Sequence, residues 1–273
     1  MHDETARFTV AQTLKEMTQT RRPKIGTMLV EFDTPGIGQI MKAAGCEFVF
    51  VDMEHSGFGY ESLKRTLRYT QAAELPTLVR VPSNRYDHIA RGLDIGAEGI
   101  MIPMVGSAEE CRHILDCMKY APQGNRGVAL QVAHDRYAPG PVMRKLRAAN
   151  RATTFFALIE TAEGVENAHA IAAIKGVDCL WIGHFDLTCS LGIPGEFGDP
   201  RFNKAVQKVI RAAKKHDKSL ARMVPDVATG LALNKQGFDF IAYSGDIWVY
   251  QAALHAGVDE LRRKCKTRRA RSA

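Results

Sequence analysis

The sequence lacks the features that place a protein in a membrane or an oxidising compartment. No apolar run approaches the ~18–20 residues needed to span a bilayer. The N-terminus, Met1-His-Asp-Glu-Thr, is acidic and has no signal-peptide apolar region. The six cysteines are scattered and form no CxxC pair, which argues against a disulfide framework or a zinc site. We therefore expect a cytoplasmic protein with no membrane partner.

Acidic residues are missing from the C-terminal segment, where the positive charge of the chain is concentrated. The net charge is +7, and residues 262–273 carry seven Lys and Arg residues and no acid. The rest of the chain is therefore close to neutral. No aromatic residues interleave with these charges, which argues against a nucleic-acid partner. We predict a frayed or disordered basic tail at 262–273. A polyanion-binding or scaffold role through this tail is the alternative.

Eight apolar runs alternate with amphipathic segments. Most are continuous, as is typical of parallel strands covered on both faces. The predicted strands are Ile25–Glu31, Glu47–Asp52, Thr77–Val81, Gly99–Pro103, Thr154–Glu160, Cys179–Ile182, Ser219–Met223 and Phe238–Tyr243. The predicted helices are Gly36–Ala44, Tyr60–Ala73, Tyr86–Asp94, Ala108–Tyr120, Val165–Ala173, Arg201–His216, Val227–Gln236 and about Trp248 to Lys264.

Eight strand–helix units with no Gly/Pro/Ser-rich linker predict one (β/α)8 TIM barrel, an α/β fold, over residues 24–261. An N-terminal extension, residues 1–23, precedes it. A doubly wound open sheet is the alternative, which is disfavoured because no GxGxxG follows an early strand. The long segment 121–153 between strands four and five is predicted to form a lid or an oligomer contact.

Ionisable residues stand at the carboxyl ends of several predicted strands, which is where (β/α)8 barrels carry their chemistry. In chain order they are Asp52, Glu54 and His55 after strand two, Arg80 in strand three, Glu160 after strand five and Asp186 after strand six. No lysine ends a predicted strand at this side, which argues against a Schiff-base mechanism and for metal-assisted carbanion chemistry.

Glu160 and Asp186 follow neighbouring strands and would repel each other unless a cation lies between them. Carboxylate oxygens suit Mg²⁺ or Mn²⁺, with waters and substrate oxygens completing the coordination. The alternative is that each carboxylate caps the helix that comes after it. The spacing alone leaves both open.

His55, with Asp52 or Asp94 nearby, is a candidate general base, since histidine exchanges protons near neutral pH. Arg80 lies inside an apolar strand, where an unpaired guanidinium is costly to bury. It therefore needs an anionic partner, which is either a substrate oxygen or a structural ion pair with Glu54 or Asp94.

From about Lys24 to His255 the chain resembles the HpcH/HpaI family of class II, metal-dependent pyruvate aldolases. Each motif is modest alone, but their order and spacing are specific. The motifs are Asp52-Met-Glu-His55, Val79-Arg80-Val-Pro82, Leu93-Asp94-Ile-Gly96-Ala97, Ile102-Pro103-Met-Val105, Tyr120-Ala-Pro-Gln-Gly-Asn-Arg126-Gly127, Ile159-Glu160-Thr161 and Ile182-Gly-His-Phe-Asp186-Leu187.

The resemblance implies roles for five of these residues. Glu160 and Asp186 would bind a divalent metal ion, Mg²⁺ or Mn²⁺, with Co²⁺ also possible. His55 would be the base, oriented by Asp94. Arg80 would contact the keto oxygen of pyruvate and stabilise the enolate.

The same resemblance implies further roles. Backbone N–H groups around Phe185 and Asp186 would hold the pyruvate carboxylate, and Asp52 and Glu54 would support the site. The enzyme would cleave a 4-hydroxy-2-oxo acid, its small-molecule substrate, to pyruvate and an aldehyde, and would catalyse the reverse addition. The family implies a homo-oligomer, a hexamer whose C-terminal helix is exchanged between subunits.

Three residues depart from the family pattern: His184 stands where proline is common, Leu158 where some members have glutamine, and Arg222 where an apolar residue is usual. These departures bear on the aldehyde that is accepted. Two alternative activities share the barrel, namely oxaloacetate decarboxylation and a citrate-lyase β-like reaction on acyl-CoA thioesters.

Overall fold

The computed structural model describes residues 12–270, with side chains described as far as Cys265. Within this range eight parallel strands form a closed barrel in chain order, with β1 paired to β8. The prediction of a (β/α)8 barrel is confirmed. The strands are β1 Lys24–Leu29, β2 Phe48–Asp52, β3 Thr77–Arg80, β4 Gly99–Ile102, β5 Thr154–Ile159, β6 Cys179–Ile182, β7 Ser219–Val224 and β8 Phe240–Gly245.

Helices cover the outside of the barrel. They are α1 Leu14–Met17, α2 Ile37–Ala43, α3 Tyr60–Ala72, α4 Tyr86–Asp94, α5 Ala108–Met118, α6 Val142–Ala152, α7 Ala162–Glu166, α8 Ala168–Ala173, α9 His184–Ser190, α10 Pro200–Lys215, α11 Val227–Gln236 and α12 Asp246–Ala270. None of the helices within residues 12–270 is both long and apolar enough to cross a membrane.

The alternation of side chains along each strand decides which residues face the inside of the barrel. In β2, Phe48 and Phe50 belong to the cluster inside the barrel, whereas Val49 and Val51 belong to the core beneath the helices. Because successive side chains point to opposite faces, Asp52 at the end of β2 also points inward. The same alternation directs Arg80 and Glu160 toward the interior.

The barrel is closed at the end where the strands begin. Leu14 and Met17 of α1 are buried against the interior cluster. Nearby, the Lys24 ammonium lies 2.9 Å from a carboxylate oxygen of Asp239, and both side chains are almost completely buried. An ion pair at this depth persists only when each charge has a partner. Solvent and substrate therefore approach the interior from the opposite end.

Some helical segments were not predicted. The short α1 precedes the barrel, the segment 121–153 contains α6 and a 3-10 helix at Ala133–Asp135, and α9 comes directly after β6. The helix predicted at Val165–Ala173 is divided into α7 and α8. Most of these segments are short, so their hydrophobic periodicity spans too few turns to be recognised in the sequence.

The final helix is longer than predicted, since α12 continues through Ala270 and so includes most of the predicted basic tail. Glu260 and Lys264 form an ion pair at 2.5 Å, and His255 lies 3.3 Å from Asp259. Pairs at this spacing stabilise an exposed helix, and Lys and Arg have high helix propensity. The high charge content of this segment therefore did not prevent it from forming a helix. Residues 271–273 of the predicted tail lie outside the described residues.

Candidate active site

A cavity of about 370 Å³ opens at the carboxyl ends of the strands. Its floor is formed by apolar side chains of the barrel interior, including Phe50, Leu158 and Trp181. Most of the predicted site residues line its walls: Asp52, His55, Arg80, Glu160, Phe185 and Asp186. A larger cavity of about 710 Å³ lies where the strands begin. We assign the chemistry to the smaller cavity because only there do the predicted residues converge.

Arg80 is held in the wall of the cavity by Asp52. Its Nε donates to one carboxylate oxygen of Asp52 at 2.7 Å and its Nη2 donates to the other at 2.8 Å. Asp52 also accepts the backbone N–H groups of Glu54 at 3.0 Å and His55 at 3.2 Å. A bidentate pair fixes the plane of a guanidinium. Asp52 therefore orients both Arg80 and the turn that carries the predicted base.

Glu54 connects Arg80 to His55. Its Oε2 lies 3.1 Å from Arg80 Nη1, although without hydrogen-bond geometry, and 3.8 Å from His55 Nε2. Burial raises the pKa of Glu54, an effect that the Arg80 charge opposes. The side chain of His55 is 64% exposed, so it can reach a substrate at the mouth of the cavity.

The prediction that Asp94 orients His55 is wrong for residues of the same chain. Asp94 is the last residue of α4 and therefore lies near the beginning of β4, at the other end of the barrel from His55. There its carboxylate accepts a hydrogen bond of 2.5 Å from Arg126 Nη2. The predicted helix Tyr86–Asp94 already placed Asp94 at its last residue, which was the sequence signal against this role. Within the described chain, Glu54 is the carboxylate beside His55.

Glu160 comes directly after β5 and is buried below the mouth of the cavity. One of its oxygens accepts the backbone N–H of Met104 at 2.7 Å, and Met104 adopts a positive φ of 57°. Burial raises the pKa of Glu160 to about 7. The Met104 hydrogen bond opposes that rise, whereas the charges of Asp186 and Glu54 add to it. A cation bound here would lower the pKa of Glu160, opposite to the effect of the Asp186 and Glu54 charges.

Asp186 lies in the first turn of α9 and is exposed at the cavity. The turn begins at Gly183, where a Cβ atom would lie only 2.2 Å from Glu160 Oε2. The absence of a side chain there leaves room for the Glu160 carboxylate beside α9. Thr161, and not Glu160, caps α7, so the alternative that Glu160 serves as a helix cap is wrong.

The residues fit a hard divalent cation held by few protein ligands. Two carboxylates face one cavity, and one is destabilised as an anion by burial and by the other's charge. No group of three or more His, Cys, Asp or Glu side chains suited to a metal occurs within the described residues. Mg²⁺ typically uses one or two carboxylates and takes its other ligands from water and substrate.

One cavity residue was not assigned a role by the sequence. His184 lines the cavity and is 8% exposed. Its ring packs at centroid distances of 4.6 Å from Phe185 and 5.3 Å from Phe197. Burial, together with the charge of Arg222, lowers the pKa of His184 to about 3. The departure from the common proline was the signal that could have identified it.

Comparisons with known proteins agree with this geometry. Residues 27–252 match the model of the family described as HpcH/HpaI aldolase/citrate lyase. A 5-keto-4-deoxy-D-glucarate aldolase from Shigella boydii serotype 18 is 31% identical over 225 residues, which cover 82% of this chain and 87% of that protein.

Solved structures of similar proteins share the fold. The HpcH/HpaI aldolase from Desulfitobacterium hafniense is 31% identical with a TM-score of 0.86, covering 92% of this chain and 97% of that one. The citrate synthase SbnG is 26% identical with a TM-score of 0.82, covering 93% of this chain and 99% of that one.

Proposed function

The chain belongs to the HpcH/HpaI aldolase/citrate lyase family and is an aldolase, and on this premise we propose its substrate class and the roles of its residues. The substrate is a 4-hydroxy-2-oxo acid of the sugar-acid type, which is cleaved between C3 and C4 to pyruvate and an aldehyde. The observation that carries the proposal is the convergence of Arg80, Glu160 and Asp186 on one cavity at the carboxyl ends of the strands.

The relative's substrate supports this class. Numbered from its keto end, 5-keto-4-deoxy-D-glucarate is a 4-hydroxy-2-oxo acid with a second carboxylate at C6. Cleavage of its C3–C4 bond gives pyruvate and tartronate semialdehyde, an aldehyde that carries a carboxylate. A cavity of about 370 Å³ lies within the size range typical of small-molecule sites.

The family is one of metal-dependent aldolases, which supports a divalent metal ion here. We propose Mg²⁺ or Mn²⁺, held by Glu160 and Asp186. When bound, such an ion acts as a Lewis acid that stabilises the negative charge of the enolate.

The chain's own residues supply the remaining steps. Arg80, oriented by Asp52, donates to the 2-oxo oxygen and stabilises charge there as the C3–C4 bond breaks. The N–H groups of Phe185 and Asp186, in the first turn of α9, have no intrahelical acceptor and hold the substrate carboxylate.

His55 accepts the C4 hydroxyl proton, directly or through a water, while the bond electrons move to the enolate. Glu54 lies beside His55 and orients it. The enolate then takes a proton at C3 from protonated His55, directly or through a water, which releases pyruvate and restores the base. The reverse reaction adds pyruvate to the aldehyde.

Three measurements test this function. EDTA should silence the wild-type enzyme, and added Mg²⁺ or Mn²⁺ should restore pyruvate release. His55→Ala and Asp186→Ala should each nearly abolish cleavage. In the wild type, exchange of the pyruvate methyl protons with D₂O should report enolate formation in the absence of an aldehyde. Full activity after dialysis against EDTA would remove the metal from the proposal. Unchanged turnover of His55→Ala would remove His55 as the base.

Decarboxylation of oxaloacetate is the second candidate, because oxaloacetate also yields the pyruvate enolate when it loses carbon dioxide and Arg80 would stabilise that enolate in the same way. One preparation assayed with oxaloacetate and with a 4-hydroxy-2-oxo acid distinguishes them. The preferred substrate is the one with the higher kcat/KM.

We also propose a homo-oligomer that uses α12. This helix exposes Tyr250, Leu254 and Leu261 at 53–65% of their surfaces, and their spacing of four and seven residues places them on one face. A row of exposed apolar residues on a long helix indicates an interaction surface. Light scattering after size-exclusion chromatography should give a multiple of the 30.2 kDa chain mass, and Leu254→Glu with Leu261→Glu should reduce it.

A further inference from the structure

Arg222 is a buried cation with no anionic partner among the side chains that the structure describes. It lies in β7 between Ala221 and Met223, which face the barrel interior, so its own side chain points outward, toward the helices. It is 8% exposed, and its Nε is buried with no hydrogen-bond partner. Among residues with described side chains, no carboxylate forms an ion pair with it. The guanidinium lies 5.3 Å from the centre of the Phe202 ring.

The unpaired charge is unusual because burying a guanidinium without an anion is costly. Burial alone lowers the pKa of Arg222 to about 10, so the side chain is a cation at neutral pH. The other buried arginines of the described chain near the two cavities have carboxylate partners, Arg80 with Asp52 and Arg126 with Asp94. The positive charge of Arg222 is therefore not neutralised by any carboxylate of residues 12–265.

His184 lines the cavity, whereas Arg222 lies outside the cavity lining. The ring of Phe197 contacts both His184 and Phe202, and the Arg222 guanidinium lies beside the Phe202 ring. Neither ring nitrogen of His184 forms a hydrogen bond with a described residue, although the side chain is more than nine-tenths buried. Contacts with Phe185 and Phe197 hold the ring in place. Its hydrogen-bonding capacity is thus left for a ligand in the cavity.

We propose that His184 forms the acceptor wall of the cavity and hydrogen-bonds the aldehyde half of the substrate, and that Arg222, outside the lining, gives that half a preference for a carboxylate. This proposal rests on the aldolase function above and names the acceptor class as an anionic hydroxyaldehyde. His184 touches the substrate, whereas Arg222 acts from outside the lining through its field.

The physical basis is the weak screening of charge in a buried site. Two unit charges at several ångströms interact much more strongly in a protein interior than in water. A carboxylate at the end of the acceptor therefore gains from a fixed cation even without direct contact. A neutral acceptor of the same size gains little from it.

The test uses two acceptors that differ in charge at one carbon. Tartronate semialdehyde and D-glyceraldehyde share the aldehyde and its neighbouring hydroxyl, but the terminal group is a carboxylate in the first and CH₂OH in the second. Addition of pyruvate to each is measured for wild type, Arg222→Met and Arg222→Lys. Arg201→Met, which removes an exposed arginine from the same region, is the charge-matched control.

We expect Arg222→Met to raise KM for tartronate semialdehyde by about tenfold, equivalent to ~1.4 kcal/mol, and to change KM for glyceraldehyde less than twofold. Arg222→Lys should restore most of the preference, and Arg201→Met should behave as wild type. His184→Leu should raise KM for both acceptors, and His184→Gln should raise it less. Exchange of pyruvate methyl protons should be unchanged in the control Arg201→Met.

Equal effects of Arg222→Met on both acceptors, or no effect on either, would overturn the proposal. If Arg222→Met does not fold, Arg222→Gln carries the same expectation and the same overturning result. Failure of the wild type to add pyruvate to either acceptor would instead refute the aldolase function, so the two failures are distinguishable.

Discussion

Arg80 Nε and Nη2 donate to the two carboxylate oxygens of Asp52 at 2.7 and 2.8 Å. The two residues are 28 positions apart in the chain and are paired in register between β2 and β3. Both point into the barrel because each lies two positions after an inward-facing apolar residue of its strand. The pair explains why a charged side chain is tolerated in an apolar strand, and the remaining Arg80 nitrogen, Nη1, lies 3.1 Å from Glu54 Oε2.

Replacing Arg80 with lysine should separate charge from geometry. Arg80→Lys retains the positive charge but loses the planar fork that Asp52 holds. We expect kcat/KM for cleavage to fall by ~10²-fold or more, as for the loss of one charge-stabilising donor. Lys15→Arg, an exchange of the same two residue types far from the cavity, is the control. A variant with wild-type kcat/KM would show that only the charge of Arg80 is needed.

The raised pKa of Glu160 predicts a pH-dependent stability of the metal-free protein. The folded state holds this proton up to a pH of about 7, whereas the unfolded carboxyl has its ordinary value of 4.5. Between these values the folded state binds more protons, so its stability should fall as pH rises from 4.5 to about 7.

Glu160→Gln removes this dependence. In EDTA, the melting temperature of Glu160→Gln minus that of wild type should increase from pH 4.5 to about 7 and level off above that pH. The exposed Glu163→Gln should behave as wild type throughout. Calorimetry at several pH values measures both. A Glu160→Gln difference that is constant with pH would contradict a raised pKa.

A methyl group at Gly183 should displace the Glu160 carboxylate. The added Cβ would lie 2.2 Å from Glu160 Oε2, whereas a Cβ at Gly198 would meet nothing within 4 Å. We expect Gly183→Ala to weaken Mg²⁺ or Mn²⁺ binding by ~10–100-fold, the effect typical of disturbing a ligand's support. Gly198→Ala should bind as wild type. Isothermal titration gives both affinities, and equal affinities would remove Glu160 as a ligand.

The buried pair Lys24–Asp239 should be important for stability. Asp239→Asn leaves a fully buried ammonium without its carboxylate, which typically costs ~3–5 kcal/mol. Glu260→Gln breaks the exposed Lys264–Glu260 pair and should cost less than ~1 kcal/mol. Urea unfolding compares the two variants. A loss as small for Asp239→Asn as for Glu260→Gln would show that the pair contributes little.

The sequence by itself determined the strands, the barrel and the end of the barrel at which the chemistry lies. These features depend on local patterns, since apolar runs mark buried strands and polar residues mark their ends. The period of two along each strand was enough to direct Glu160 into the cavity.

Only the tertiary structure decided which residues meet. Glu54 lies beside His55, while Asp94 belongs to the opposite end of the barrel and pairs with Arg126. Arg222 faces outward, and its buried Nε has no hydrogen-bond partner in the described part of the chain. Such contacts join residues far apart in the chain, and their partners depend on how neighbouring strands and helices are placed. The physical reason is that a charge is stabilised by the groups within a few ångströms of it, whether or not they are its neighbours in the sequence.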